Sequence, residues 1–254
     1  MAGLDEAALE RGGEAAGRIF FFLSHAAGSA RNYPDLYPRI RKAFRTVPLD
    51  LSGHGARREE RLLYSMEEIV EDLHRQAAAS LEGAKTPPYH IFGHSMGALN
   101  AFLLAVKLTE NGHPPPERLF LSSYSVPGWH PIPPGMAKLP DREMWEESAL
   151  RFGVLNGEPV PSEERMRLFS PAYRADLLAV EGYRPPEPSP VLDAPLTVFY
   201  AENDMVDGEL AGAWRDFSSR PLDLVKLPGG HFHPLENPLQ LEDILLSRTS
   251  GPGL

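Results

Sequence analysis

The sequence predicts an α/β protein, built on a mainly parallel, doubly wound sheet that carries one helical insertion. Three observations lead there. Apolar runs of strand length alternate with helical stretches along most of the 254 residues. A Gly-x-Ser-x-Gly pattern, Gly93-His94-Ser95-Met96-Gly97, sits where one such run passes into a helical stretch. The alternation breaks once, between Pro127 and Pro195.

Taken in order, "RIFFFLSH" (18–25) is continuously apolar, as in a strand buried on both faces. "FRTVPLDLSG" (44–53) is a second strand, and its Pro48, which cannot donate to a ladder, marks an irregular start or a sheet edge. "YHIFGHS", "RLFLSSYS" (118–125), "LTVFYAEND" (196–204) and "LDLVKLPGGH" (222–231) supply four more. Helical stretches fall at about 32–44, 65–82, 96–111, 208–218 and 235–247, and there is no internal repeat. The interruption holds helical pieces in a Pro-rich frame: "PGWHPIPPGMAKLP", "DREMWEESALRFG", "SEERMRLFSPAYRADLLAVEGY" and "RPPEPSP". Its Met, Trp, Leu and Phe content predicts a lid with an apolar underside, at the end of the sheet where ligands bind. The expected organisation is a flexible N-terminal arm (1–17), a core (18–126 and 196–247), a lid insertion (127–195) and a loose "SRTSGPGL" tail.

Composition narrows the function. The chain has no cysteine, which excludes disulfides, thiol nucleophiles and cysteine-ligated zinc and suits a reducing compartment. A formal net charge of −10 argues against nucleic acid as a partner. The N-terminus is polar and acidic, unlike a signal peptide, and "IFFFL" is far too short to span a membrane. A cytoplasmic monomer with no membrane partner is expected.

The serine asks for partners. A hydroxyl is a poor nucleophile at neutral pH unless a base takes its proton and an acid orients that base. With Gly-x-Ser-x-Gly the order along the chain is serine, acid, histidine. His231 follows the last predicted strand behind two glycines and is the expected base. His233 lies one pleat further on; no third ligand lies near the two histidines, so no metal is expected. Asp204 ends a strand and is the expected acid, Asp207 reads as an N-cap, and Glu202 is the outsider. An oxyanion needs two backbone N–H donors. Met96, which follows the serine, supplies one; the small-residue turn "SHAAGSA" supplies the other, assigned to Ala27 with Ala26 as the alternative.

"SHAAGSA", "LDLSGHGAR", "FGHSMGALNAF", "FLSSYSVP", "SPAYRADLLAVEGY" and "KLPGGHFHPLEN", in that order and spacing, resemble type II thioesterases. These stand-alone enzymes accompany polyketide synthases and nonribosomal peptide synthetases, and their family includes the medium-chain thioesterase of animal fatty acid synthase. The resemblance runs from about Arg18 to Leu246. It implies an α/β-hydrolase fold with a helical lid, and hydrolysis of acyl groups from the phosphopantetheine arm of acyl or peptidyl carrier proteins, for editing or release. It implies no cofactor beyond the phosphopantetheine that the substrate carries. It also places the family's serine, aspartate and histidine on Ser95, Asp204 and His231. Two departures stand out. The family's H-A-G-G is here His25-Ala26-Ala27-Gly28, and its L-P-G-R is Leu51-Ser52-Gly53-His54, so that arginine's role is assigned to Arg57 or Arg58.

Met136, Leu139, Met144 and Trp145, with Leu150 and Phe152, are expected to line an acyl channel beneath the lid. Of two basic clusters, "RIRKAFR" (39–45) and Arg57, Arg58 and Arg61, the second is the candidate for docking an acidic carrier, through Arg57 and Arg58. The alternatives are an esterase or lipase acting on free small esters, which the same triad would serve, and a binding protein on a hydrolase scaffold without catalysis.

Overall fold

The computed structural model describes residues 17–83, 86–153 and 160–249. Among these, strands β1 (Ile19–Leu23), β2 (Arg45–Pro48), β3 (Tyr89–His94), β4 (Arg118–Ser122), β5 (Leu196–Ala201) and β6 (Leu222–Leu227) form one sheet. Its order is β2-β1-β3-β4-β5-β6 and every pairing is parallel. Helices α1 (Tyr37–Ala43), α2 (Met66–Leu81), α3 (Met96–Glu110), α4 (Asp141–Phe152), α5 (Glu163–Gly182), α6 (Gly208–Gly212), α7 (His233–Glu236) and α8 (Pro238–Thr249) accompany it.

Alternation along β1 explains the continuous apolar run. Ile19, Phe21 and Leu23 pack on one face against Ile69 and Leu73 of α2 and Leu99 and Phe102 of α3. Phe20 and Phe22 pack on the other against Ile40 of α1 and Leu241 and Leu245 of α8. A parallel sheet covered on both faces needs apolar side chains at successive positions. The helices differ in the same sense. In α2 the buried residues Met66, Ile69, Leu73, Ala77 and Leu81 recur every three or four positions. In α3 nearly every residue from Met96 to Ala105 is buried, as its unbroken Ala and Leu content demands.

The strands stop earlier than the sequence alone suggested, for local reasons. Strand β2 ends at Pro48 on the sheet edge, and the next residues turn around the Asp50 carboxylate, which accepts the N–H groups of Ala30 and Ala56 at 3.2 and 3.1 Å. Strand β4 ends where Ser123 adopts φ 55, and β6 ends at Pro228 before Gly229, φ 98. The expected last helix is two: Asn237 breaks it and Pro238 opens α8. That helix runs two residues past its expected end. The carbonyl of Thr249 accepts Arg18 Nη1 at 3.2 Å, and Arg248 pairs with Asp223 at 2.6 Å, which ties Ser247–Thr249 to the sheet edge. The rest of the expected tail, and all but Gly17 of the expected arm, lie outside the described residues. No described helix is long and apolar enough to cross a membrane.

Between β4 and β5 a 3-10 turn (Met136–Lys138), α4 and α5 form a separate layer. Its own core joins Ile132, Met136, Ala137, Met144, Tyr173 and Leu177. Arg174 of α5 clasps the entry to α4 by donating to the carbonyls of Ala137 and Leu139.

Three histidines are built into the core. His90 on β3 lies among Phe20, Phe44 and Phe120. His94 and His233 are fully buried. Burial, reinforced for His90 by Arg18 and Arg118, holds His90 at about 3; burial foremost also holds His233 at about 3 and His94 well below the usual value. The unfolded chain takes up protons near pH 6.5 at these three residues that the native state refuses, so their contribution to folding stability is flat above that pH and falls as acid is added. Urea titrations are expected to show a smaller unfolding free energy at about pH 5.5 than at about pH 7. Equal unfolding free energies at the two pH values would show that these imidazoles are charged in the native state.

Candidate active site

Ser95 sits between β3 and α3 with φ 56 and ψ −127, a backbone conformation that side-chain-bearing residues rarely hold. Two features hold it. Its N–H donates to Ser122 O at 2.7 Å. A Cβ on Gly93 would collide with the carbonyl of Gly97, and one on Gly97 with the carbonyl of Ser24. Both glycines are therefore required by close backbone approach, and the serine hydroxyl is thrown out at the C-terminal end of the sheet.

The loops after β5 and β6 converge on that hydroxyl. His231 Nε2 lies 2.9 Å from Ser95 Oγ, and His231 Nδ1 lies 2.9 Å from Asp204 Oδ1. A carboxylate only accepts, so Nδ1 carries hydrogen and Nε2 is free to accept from the serine. Burial opposes the charge on Asp204, but the hydrogen bond and charge of His231 outweigh it and keep its carboxyl below the usual range. This relay can draw the proton from Ser95 while its far end stays ionised. Asp207 does something else: its carboxylate accepts the N–H groups of Glu209 and Leu210, both at 2.9 Å, and caps α6. Glu202 is exposed and pairs with Lys226. His233 points away from Ser95. Its Nε2 lies 2.9 Å from Ser122 Oγ, which also lies 3.0 Å from His94 Nδ1, so one hydroxyl stands between two buried imidazoles.

The loop after β1 faces the serine but differs from its expected wiring. Ala27 has φ 58, and its N–H donates to Asp176 Oδ2 at 2.7 Å. That donor is committed, so Ala27 is not a free oxyanion donor. The N–H of Ala26 has no acceptor among the described residues, nor has that of Met96 at the first position of α3. Both residues line one cavity with Ser95. The pair of open donors is therefore Met96 and Ala26, the alternative reading of the turn.

The cavity, of about 140 Å³, is floored by His25, Ala26, Ala27, Ser95, Met96 and His231 and roofed by the insertion. Of the residues expected to line it, Trp145 and Phe152 do; the Phe152 ring lies 4.8 Å from that of His231. Met136 and Met144 do not, because both are buried inside the lid's own core, against which Leu139 packs. Leu150 is 82% exposed. Much of the roof comes from α5, through Phe169, Tyr173, Asp176, Leu177 and Val180. That set recurs at helical spacing in the sequence, a signal from which the α5 wall can be read.

The two candidate docking arginines part ways. Arg57 is taken up internally, donating to Asp50 O at 3.0 Å, to Asp72 Oδ1 at 3.0 Å and to Glu60 Oε1 at 2.9 Å. It braces the loop after β2 against α2 and is unsuited to docking. Arg58 is exposed and pairs only with the equally exposed Glu59 among the described residues. Neither takes the place of the absent arginine at position 54: His54 itself meets the lid, with Nε2 3.0 Å from Asp176 Oδ2.

A family model described as "Thioesterase domain" matches residues 18–248. The chain is 34% identical over 197 residues to the human medium-chain S-acyl fatty acid synthase thioesterase, covering 74% of this chain and 70% of that one. Among solved structures it is similar to the RedJ thioesterase of the prodiginine pathway of Streptomyces coelicolor, with a TM-score of 0.81, 29% identity, and coverage of 92% of this chain and 86% of that one. It is similar also to BorB, the type II thioesterase of the borrelidin cluster, with a TM-score of 0.80, 28% identity, and coverage of 92% and 93%.

The lid geometry separates two kinds of substitution. Trp145 stacks on Tyr173 with ring centroids 4.6 Å apart and lines the cavity, whereas Met144 lies wholly within the lid core. Trp145→Ala is expected to shift the preference among short and medium acyl chains. Met144→Ala is expected to cost about 2–5 kcal/mol of stability and leave that preference in place. A panel of acyl thioesters of graded length, with urea unfolding of each variant, checks both; a shifted profile in Met144→Ala would reassign the cavity wall.

Proposed function

The chain belongs to the thioesterase family and is a thioester hydrolase; we propose that it removes acyl groups from the phosphopantetheine arm of acyl or peptidyl carrier proteins, as an editing or chain-release enzyme of polyketide, nonribosomal peptide or fatty acid synthesis. The observation that carries this reading is the Ser95–His231–Asp204 relay opening into a covered, mostly apolar cavity beside two open N–H donors. Relatives named as a gramicidin S biosynthesis protein and a probable cadicidin biosynthesis thioesterase support the choice of partner.

In the proposed reaction His231 takes the proton of Ser95 as Oγ attacks the thioester carbonyl. The Met96 and Ala26 N–H groups receive the developing oxyanion, and the dipole of the fifteen-residue α3 adds to them. Collapse breaks the C–S bond, and the proton on His231 passes to the departing thiolate. A water, deprotonated by His231, then attacks the Ser95 ester; the carboxylic acid leaves and the serine regains its proton. Asp204 stays ionised and holds the imidazole in place. The lid's aromatic and aliphatic residues shield the acyl chain from water.

Ser95→Ala is expected to reduce hydrolysis about 10⁴- to 10⁶-fold without unfolding the chain, and Asp204→Asn somewhat less. Asp207→Asn, which keeps an N-cap acceptor oxygen, is expected to cost little helix stability and little activity. Steady-state rates on an acyl-N-acetylcysteamine substrate decide this; greater damage from Asp207→Asn than from Asp204→Asn would reverse the assignment of the acid.

Carrier recognition gives a second, separable outcome. With the formal net charge at −10, an acidic carrier needs a local positive contact, and Arg58 is the member of the expected pair left on the surface. Arg58→Glu is expected to lower kcat/KM several-fold on an acyl-carrier protein and to leave the same acyl group on N-acetylcysteamine unaffected. Equal loss on both substrates would exclude a docking role.

A further inference from the structure

We propose that His54 and Asp176 are positioning residues, a protonated imidazole and a carboxylate that together hold the loop after β1 so that its Ala26 N–H faces the reacting carbonyl. The inference rests on the reading of Ser95 as nucleophile given above.

The geometry sets the proton count. Asp176 reaches down from α5 with its side chain 1% exposed, and one oxygen, Oδ2, takes both the Ala27 N–H at 2.7 Å and His54 Nε2 at 3.0 Å. On the far side of the ring, His54 Nδ1 lies 3.1 Å from Ser52 O. A carbonyl only accepts, so Nδ1 carries hydrogen. A neutral ring would then turn the bare lone pair of Nε2 toward a carboxylate already accepting from Ala27. Two acceptors in a buried contact repel, and the contact is sound only if one further proton lies between Nε2 and Oδ2. Burial works against a charge on His54. The charge and hydrogen bond of Asp176, the Ser52 carbonyl and the charge of Asp50 outweigh it, and the net shift of the imidazole is upward.

The loop has reason to need the tether. Ala27 carries a β-carbon at φ 58, a conformation that only glycine adopts freely, and its N–H has the Asp176 carboxylate as partner. Ala26, whose N–H is open, is the preceding residue. Asp176 also walls the cavity that holds Ser95, so a shift of this carboxylate reaches the reacting centre within one residue of chain. The charged and titratable groups around the pair are Asp50 from the loop after β2, Tyr173 one turn earlier on α5, and Arg165, His25 and His231 around the same cavity.

The sign of the pH effect follows. A histidine held above its ordinary value keeps its contact at low and neutral pH and loses it as pH rises through that raised value. Loss of the shared proton loosens the Ala27 tether, and kcat falls on the alkaline side. Arginine keeps its charge throughout.

The test uses the full chain and an acyl-N-acetylcysteamine substrate from pH 6 to 10. His54→Ala is expected to lower kcat about 10- to 100-fold with KM little changed, short of the loss of a whole oxyanion donor. His54→Arg is expected to restore kcat at pH 7.5 and to abolish the alkaline limb expected of the parent. Nitrogen-15 NMR of the parent needs no variant: the His54 ring is expected to show both nitrogens protonated at pH 7.5. A neutral ring at that pH, an alkaline limb unchanged in His54→Arg, or full kcat in a folded His54→Ala would each overturn the proposal. Ser95→Ala remains inactive in all of these outcomes, so the failure of this inference is distinct from a failure of the nucleophile assignment.

Discussion

The backbone at Ser95 is the constraint on which the rest of the site depends. A serine at φ 56 and ψ −127 is unfavourable by itself, and it persists because strand β3, helix α3 and the loop after β1 leave no room for anything else. Gly97 touches the carbonyl of Ser24 closely enough that a single methyl group would force them apart, and Ser24 opens the turn that carries Ala26. Ser95 and the loop of Ala26 are thus placed by one contact between two backbones. The Ser95 N–H on Ser122 O extends the same clamp to β4.

Around that clamp the sheet does the alignment. The residues of the relay leave the C-terminal ends of β3, β5 and β6, strands whose parallel pairing through β4 fixes their spacing. The insertion adds a small core of its own, made of Met136, Met144 and their neighbours. The layers meet through apolar packing, with Ala179 and Val180 of α5 in the main core, and through one carboxylate from α5 that meets one imidazole and one amide of the sheet loops.

Much of this was legible in the sequence because it is local. Strands buried on both faces write themselves as apolar runs, a nucleophile elbow writes itself as glycines flanking a serine, and an N-cap such as Asp207 precedes its own helix. The order serine, acid, histidine did the rest, although Asp204 and His231 lie far from Ser95 along the chain. What escaped was set by partners that a linear reading does not bring together. Arg57 looked free until Asp72, fifteen residues on, closed over it. Ala27 looked like an open donor until Asp176 took its N–H across 149 residues. Met136 and Met144 have the composition of a pocket wall, but which face of a lid helix turns inward is decided by the second lid helix. Its stripe at Phe169, Tyr173, Leu177 and Val180 was visible in the sequence and simply belonged to the other wall.

The hydroxyl of Ser122 has a bearing of another kind. It lies between His94 Nδ1 and His233 Nε2 and owns a single hydrogen. With both rings neutral, it donates to one imidazole and accepts from the other, so the tautomer of His94, directly beside Ser95, is fixed by that of His233 at the start of α7. The two rings are complementary by logic as well as by contact: whichever nitrogen holds its hydrogen on one side, the facing nitrogen on the other side is bare. Beneath the reacting serine there is therefore a buried polar wire with two settings, and a change at either end is written into the other without any movement of the backbone.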